Sequence, residues 1–498
     1  MRPILKYFTI ILFLIQSLIL QAQAEKQSFL PKVKYGKALF SGKITGKVPH
    51  DLSEKSILLS FSNLVTSNTA NYEVPIKKDG TFSIEIPVQC ITFPVIESDY
   101  YANQICLIPG EETRLELNFD GNKTTPMLTN RLGFNANDSK AVLEVFDEVL
   151  EKITTANREI VTPEIYKQGT LKSFSKGLEL FDKSEKLSGI SKQVAISEFK
   201  AWYIKTYLFN YALWIGNNYE NKHRTDSMQT EFRPQIPAKS YYSFLKDVDL
   251  TNPANFTARF YPDVLQLILS NDTLAIPAIE DMPVDTWLVQ VKTILNDLIG
   301  PGTGQFYELL VSNAYGKQFN EMKPLSETQK KNIASYFKNK SFIDILLAEN
   351  ERVVRLANKN RDEHFFIFNK PVENVMDQII SKYKEKVVFV DFWATWCSPC
   401  LKAMQESGSV RKELENKGVV FVYITDPTSP IKAWQLKIAD IHGEHYYLTK
   451  EDWKNLTKKY NFSAIPHYLI FDKNGSLKQN LGAFINNEDI RKWINELL

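Results

Sequence analysis

The chain has 498 residues, 60 basic against 58 acidic, with 44% hydrophobic and 24% charged residues, 20 glycines, 22 prolines and four cysteines. This is ordinary globular composition, and the length calls for more than one domain because single cores rarely grow beyond about 250–300 residues. It excludes a disordered chain, a collagen and a small disulfide scaffold, and the near-zero net charge argues against an electrostatic nucleic-acid binder.

Arg2 and Lys6 precede an apolar run from Tyr7 to Leu20, which gives way to Gln21-Ala22-Gln23-Ala24. A basic start, a short apolar stretch and small residues at an A-x-A site predict a secretory signal over residues 1–24. A membrane anchor is the alternative reading, but a span needs about 20 apolar residues, and no cysteine follows the run to carry a lipid. The expectation is a periplasmic protein with no transmembrane segment after signal cleavage, in a compartment where disulfides persist.

Residues 25–125 carry short alternating runs, among them Ala38–Ile44, Ser56–Phe61, Thr81–Ile86 and Thr113–Asn118, with Gly, Asn and Asp between them. Period-two alternation predicts an antiparallel, sandwich-like β-domain, and it holds no carboxylate or histidine cluster. Over residues 126–365 the period changes. Leu143, Phe146, Leu150 and Ile153 recur at three and four residues behind Asp138 and Ser139, which predicts an amphipathic helix and opens a mostly helical domain. Further helices are expected over 198–214, 306–315, 327–337 and 342–356. Trp202, Tyr203, Tyr207, Phe209, Tyr211 and Trp214 follow helical spacing and read as core rather than as a binding groove.

Residues 366–498 alternate strands with helices. Val387–Phe392 and Val419–Ile424 are runs of β-formers, two more strands flank Asp472-Lys473-Asn474-Gly475, and helices are expected before Gly418, over 431–440 and 450–460, and from Asn487. The pattern predicts an α/β domain with a mixed sheet. It contains Val390-Asp391-Phe392-Trp393-Ala394-Thr395-Trp396-Cys397-Ser398-Pro399-Cys400. A strand ending near Trp393 and a helix beginning near Cys397 place the two sulfurs one turn apart, close enough for a disulfide. Cys397 then lies at the positive end of the helix, where unpaired N–H groups favour a thiolate, so it is the attacking sulfur. Cys400, a turn deeper, suits the resolving role. Pro399 is tolerated because its missing N–H costs nothing in the first turn.

This segment resembles the thioredoxin superfamily, and its FWATWCxPC form with the secretory signal resembles the extracytoplasmic TlpA/ResA-like branch. The layout of β-domain, helical middle and C-terminal thioredoxin-like fold resembles secreted thiol-disulfide oxidoreductases of Bacteroidetes type. The resemblance implies that Asp391 is the buried acid relaying the proton of the resolving cysteine, and that Ala464-Ile465-Pro466-His467 supplies a cis-proline opposite the disulfide. Ile465 would then offer its backbone to an extended substrate, with Pro466, Trp396 and Ser398 shaping the site. Ala403 and Gln405 stand where relatives carry a glutamate and a kinking proline. Their presence predicts a straighter helix, with Ser407-Gly408-Ser409 as a weak point.

Half of a zinc site is the alternative for a lone C-x-x-C, but two further ligands at matching spacing are missing. A peroxidase would require a Pro-x-x-x-Thr/Ser-x-x-Cys pattern that residues 390–396 do not follow. His442 and His445 read as solvated or packing residues, and His467 either tunes the thiolate or makes a structural hydrogen bond. Cys90 and Cys106 would face each other in a hairpin centred on Ser98, as a cross-strand disulfide or as two buried thiols. The expected activity is thiol-disulfide exchange by Cys397 and Cys400 with protein thiols or disulfides, in the reducing direction, served by an unidentified extracytoplasmic electron donor or acceptor. No metal and no cofactor beyond the redox-active disulfide is expected. The alternative is an interaction or scaffold protein whose β and helical modules carry the role.

Overall fold

The computed structural model describes residues 31–46, 56–98, 101–120, 123–153, 159–187, 189–223, 232–300, 305–357, 365–438, 441–482 and 486–498. The signal expected over residues 1–24 lies outside them. Among the described residues no helix is long and apolar enough to cross a membrane. Two compact units form. One holds the described residues up to Lys317 with Leu325–Ala348, the other Gln318–Pro324 with Glu349–Leu498.

The first unit contains two four-stranded sheets, in the orders β4-β1-β7-β8 and β3-β2-β5-β6. The strands are β1 (Gly36–Gly46), β2 (Ser56–Ser62), β3 (Thr69–Pro75), β4 (Thr81–Val88), β5 (Val95–Glu97), β6 (Ala102–Gln104), β7 (Glu112–Asp120) and β8 (Lys123–Thr129). The expected antiparallel arrangement holds except at the centre of the first sheet, where β1 and β7 run parallel. Parallel pairing requires a long crossover, and here the excursion through the second sheet supplies it.

Helices follow from Ala136, the first capped by an Asn135–Asp138 box. Its buried stripe is Ser139, Val142, Val145 and Val149. Of the stripe expected from Leu143, Phe146, Leu150 and Ile153, Ile153 is buried and Phe146 packs on Phe181, Phe199 and Trp202, whereas Leu143 is exposed. The helix expected over 198–214 is broken. Gly189–Tyr203 ends in a π-turn at Ile204–Leu208 before Tyr211–Lys222 begins. The aromatic residues pack on one another across that break, with Tyr203–Tyr207 at 4.8 Å and Tyr207–Trp214 at 5.1 Å between ring centroids. Sheets and helices share this compact unit, and buried polar contacts tie them. Asn313 Nδ2 donates to the Leu64 carbonyl at 2.9 Å and the Gln104 N–H donates to Ser139 Oγ at 2.9 Å. Gly316 lies so close to Thr66 that a Cβ would meet its carbonyl oxygen at 2.3 Å.

The second unit is built on one mixed six-stranded sheet, β14-β13-β10-β11-β12-β9, with β9 (Phe365–Ile367), β10 (Val388–Phe392), β11 (Val420–Thr425), β12 (Glu444–Tyr447), β13 (His467–Phe471) and β14 (Leu477–Gly482). β10, β11, β12 and β9 are parallel neighbours, whereas β13 is antiparallel to β10 and β14. Both faces of β10 are covered. Val387, Phe389 and Trp393 enter one core with the helices Ser398–Glu406, Gly408–Glu415 and Asn487–Asn495, and Val388, Val390 and Phe392 enter the other with Val375–Ser381 and Lys450–Lys459. This explains why β10 reads as a continuous apolar run.

The hairpin expected to join Cys90 to Cys106 forms, but shifted by three residues. Val95 pairs with Gln104 and Thr92 with Leu107, because the turn is closed by Ser98 and Tyr101. The two cysteines are therefore not opposite each other, and the possible disulfide is replaced by two buried free thiols. Burial pushes the Cys90 thiol up to about 12 and raises that of Cys106 as well. Alkylation of the unreduced protein in denaturant, read by peptide mass spectrometry, is expected to label Cys90 and Cys106 and neither Cys397 nor Cys400. Alkylation of the native protein should label none.

Candidate active site

β10 ends at Phe392, and the chain turns through Trp393–Trp396 into the helix Ser398–Glu406. Cys397 stands immediately before that helix, and its Sγ accepts the Cys400 backbone N–H at 3.2 Å. A sulfur in the capping position is thus held by one of the orphan donors of the first turn. The same geometry favours a thiolate there once the bond is reduced. Cys397 and Cys400 form a disulfide with Cα atoms 5.3 Å apart. Cys397 is 2% exposed and Cys400 is fully buried.

The turn is held from β11. The Thr395 N–H donates to Ser429 Oγ at 3.0 Å, and Thr425 and Ser429 share a 2.8 Å hydroxyl contact. The Trp396 indole N–H donates to Thr428 Oγ1 at 3.1 Å, whose hydroxyl in turn donates to Asp426 Oδ1 at 2.6 Å. Trp396 remains 60% exposed, so beside the disulfide stands an apolar ring fixed at one end. Pro399 falls in the first turn of the helix, and the side chain of Ser398 lies outside the described residues. The Ile465–Pro466 peptide is cis, and the Ile465 side chain packs at the margin of both cores.

Beneath the turn, Asp391 points to the same face as Phe389 and Trp393. It is 1% exposed, and its Oδ2 accepts from Arg411 Nη2 at 2.9 Å while Oδ1 has no partner among the described residues. Burial pushes the carboxyl up to about 6, against the opposing pull of Arg411.

Residues 385–477 match the family model described as thioredoxin-like. The C-terminal domain is a thioredoxin-like domain. The thiol-disulfide oxidoreductase ResA of Geobacillus kaustophilus is 27% identical over 120 residues, 24% of this chain and 67% of that protein. The thioredoxin of Rickettsia conorii is 27% identical over 129 residues, 25% of this chain and 95% of its own. Among solved structures, the exposed lipoprotein thioredoxin of Streptococcus pneumoniae aligns at 26% identity and a TM-score of 0.21, covering 24% of this chain and 90% of that one. The similarity to ResA supports thiol-disulfide oxidoreductase activity in the thioredoxin-like domain.

One expectation for this domain is corrected. The helix is not straight. It breaks within the expected weak point, at Ser407, whose hydroxyl donates back to the Ala403 carbonyl at 2.6 Å, and resumes as Gly408–Glu415. Of the two readings of His467, the structural hydrogen bond is the one found. The residue lies on the face of the sheet opposite the disulfide, stacked on Phe462 at 4.1 Å, with Nε2 against Asn480 Oδ1 at 2.7 Å. His442 and His445 part company. His442 meets Glu415 at 3.1 Å on the surface, whereas His445 is buried with its ring stacked on Tyr423 at 4.9 Å. Gly443 makes this crossing possible, because a Cβ there would meet the Tyr423 ring at 2.7 Å.

The residue that sequence reasoning missed is Arg411. In the string Val410-Arg411-Lys412-Glu413 it reads as one of several surface charges. The signal was its spacing: Ala403, Ser407, Arg411 and Leu414 recur at three and four residues along the buried face.

Burial lowers the pKa of His445 to about 4, so it is neutral in the folded protein and takes up a proton on unfolding below about 6.5. His445 alone therefore costs stability as pH drops from about 6.5 toward 4, by about 3 kcal/mol at ~1.4 kcal/mol per pKa unit, whereas Asp391, raised to about 6, works in the opposite sense over the same window. Between pH 7 and pH 4.5, urea unfolding should show the wild type losing about 3 kcal/mol relative to His445→Phe.

Proposed function

We propose that this protein is an extracytoplasmic thiol-disulfide oxidoreductase working in the reducing direction on protein disulfides. The observation that carries the reading is the Cys397–Cys400 disulfide at a helix start, with the attacking sulfur on a backbone N–H and an ionisable carboxylate below. The leader-like start with Arg2, Lys6 and Ala22-Gln23-Ala24 supports the location.

In the reduced protein the Cys397 thiolate attacks a substrate disulfide, forming a mixed disulfide and releasing the first substrate sulfur as a thiolate. Cys400 then passes its proton to Asp391, which requires the carboxylate form. The resulting Cys400 thiolate attacks Cys397 Sγ, closes the intramolecular disulfide and expels the second substrate sulfur. Two electrons leave the dithiol, and a donor of the same thiol chemistry restores it. The sulfur pair carries the electrons, so the cycle needs no metal or bound cofactor. Trp396 offers an apolar platform to the substrate, and the backbone of Ile465 beside Pro466 offers N–H and C=O to an extended segment. A base under the second cysteine serves the step that completes substrate reduction and, by microscopic reversibility, the step that reopens the disulfide, so the direction is set by the potential of the pair and its partners.

Cys397→Ser is expected to abolish reduction of a protein disulfide such as insulin's. Cys400→Ser should instead accumulate a substrate mixed disulfide at Cys397, visible on a non-reducing gel. Turnover by both variants at the wild-type rate would sink the reading. The rate of the resolving step should rise with pH through about 6, where Asp391 loses its proton.

A further inference from the structure

Arg411 leaves Gly408–Glu415 on its inner side and is 5% exposed. Each of its nitrogens has its own acceptor. Nε donates to Ser407 Oγ at 2.7 Å, Nη1 to Tyr423 OH at 2.9 Å and Nη2 to Asp391 Oδ2 at 2.9 Å. Its guanidinium carbon lies 5.2, 5.4 and 5.3 Å from the ring centroids of Phe389, Phe421 and Tyr423. The cation is enclosed by aromatic faces and aimed at one oxygen of one carboxylate.

A buried ion pair adds little net stability, since apolar residues of similar volume fill such space as well or better. What it does alter is the charge state of its partner. We propose that Arg411 is a positioning residue for disulfide exchange: it holds Asp391 as a carboxylate by engaging Oδ2, leaving Oδ1 as the oxygen that takes the proton of Cys400. The inference rests on Asp391 acting as the proton relay.

The other groups facing Asp391 do not supply the charge. Tyr423 on β11 and Tyr468 on β13 are both raised by burial and stay protonated. The next carboxylates out, Glu415 and Glu406, bear on Tyr423 and Tyr468 respectively. His445, stacked on the Tyr423 ring, is neutral. Tyr447 on β12 is likewise raised by burial and stays protonated, and Cys397 and Cys400 are the remaining titratable groups of this core among the described residues. Burial opposes the charge on Arg411, but Tyr423 and Asp391 outweigh it and hold its pKa up. The break at Ser407 now has a consequence: it places the hydroxyl that receives Nε and so orients the guanidinium.

The test uses the reduced full chain and an excess of the aromatic disulfide DTNB. The first thionitrobenzoate released reports attack by Cys397, and the second, a first-order phase, reports resolution by Cys400. In the wild type the second phase should rise with pH through a single midpoint that Asp391→Asn removes. Arg411→Met should move that midpoint up by at least about one pH unit, slowing resolution at pH 5 roughly tenfold, while the first phase stays within about twofold. Arg411→Gln keeps a donor for Oδ2 without the charge, so it stands in where the methionine variant does not fold, with the same upward shift expected. Arg411→Lys, which restores the charge, should return the midpoint toward the wild-type value. An unmoved midpoint in folded Arg411→Met or Arg411→Gln, with Asp391→Asn still flat, overturns the role of Arg411 and leaves the relay standing. A midpoint that persists in Asp391→Asn overturns the relay and the inference with it.

Discussion

The second unit depends on one unfavourable placement, a carboxylate on a strand buried on both faces. β10 gives up its other side chains to two apolar cores, and its only charge, Asp391, is taken out of water beneath the turn that carries the sulfurs. An isolated buried carboxylate neutralises itself. One paired with a guanidinium keeps its charge within reach of neutral pH. The neighbouring elements are arranged around that requirement. The helix breaks at Ser407, Arg411 turns inward, three rings enclose it, and Gly443 lets His445 close over Tyr423.

The four cysteines illustrate how environment divides one side chain into two chemistries. Cys90 and Cys106 lie in apolar surroundings that raise their pKa values and suppress the nucleophilic thiolate. Cys397 is nearly as buried, yet it caps a helix and receives a backbone N–H. Burial alone therefore does not separate the inert thiols from the redox pair. The presence of an oriented donor does.

The chemistry was legible because it is local. Cys397 and Cys400 sit in a short string whose spacing carries the information, Asp391 and Pro466 were singled out only by the resemblance that the string supports, and β10 announces itself by an unbroken apolar run. What escaped was set by contacts distant in sequence or by degenerate periodicity. The parallel pairing of β1 with β7 joins residues some seventy apart. The hairpin register depended on which of several polar residues closed the turn. In the first helix, Val142, Val145 and Val149 fit a three-and-four spacing as well as Leu143, Phe146 and Leu150 do, so the pattern alone did not select the buried stripe. β9 and β12 are three and four residues long, too short for alternation to register. Arg411 was hidden by the charged residues beside it, although its place on the buried face was written in the spacing.

The most direct test of the central claim is the redox equilibrium of Cys397 and Cys400 in the full chain, set by glutathione or dithiothreitol buffers and read by thiol trapping and mass spectrometry, with Cys90 and Cys106 followed separately. The account predicts reversible two-electron cycling of Cys397–Cys400 toward the reducing thioredoxin end of the scale, about −270 mV, while Cys90 and Cys106 remain thiols throughout. A pair that does not cycle reversibly at any accessible potential would contradict it, and a midpoint near −120 mV would contradict the reducing direction.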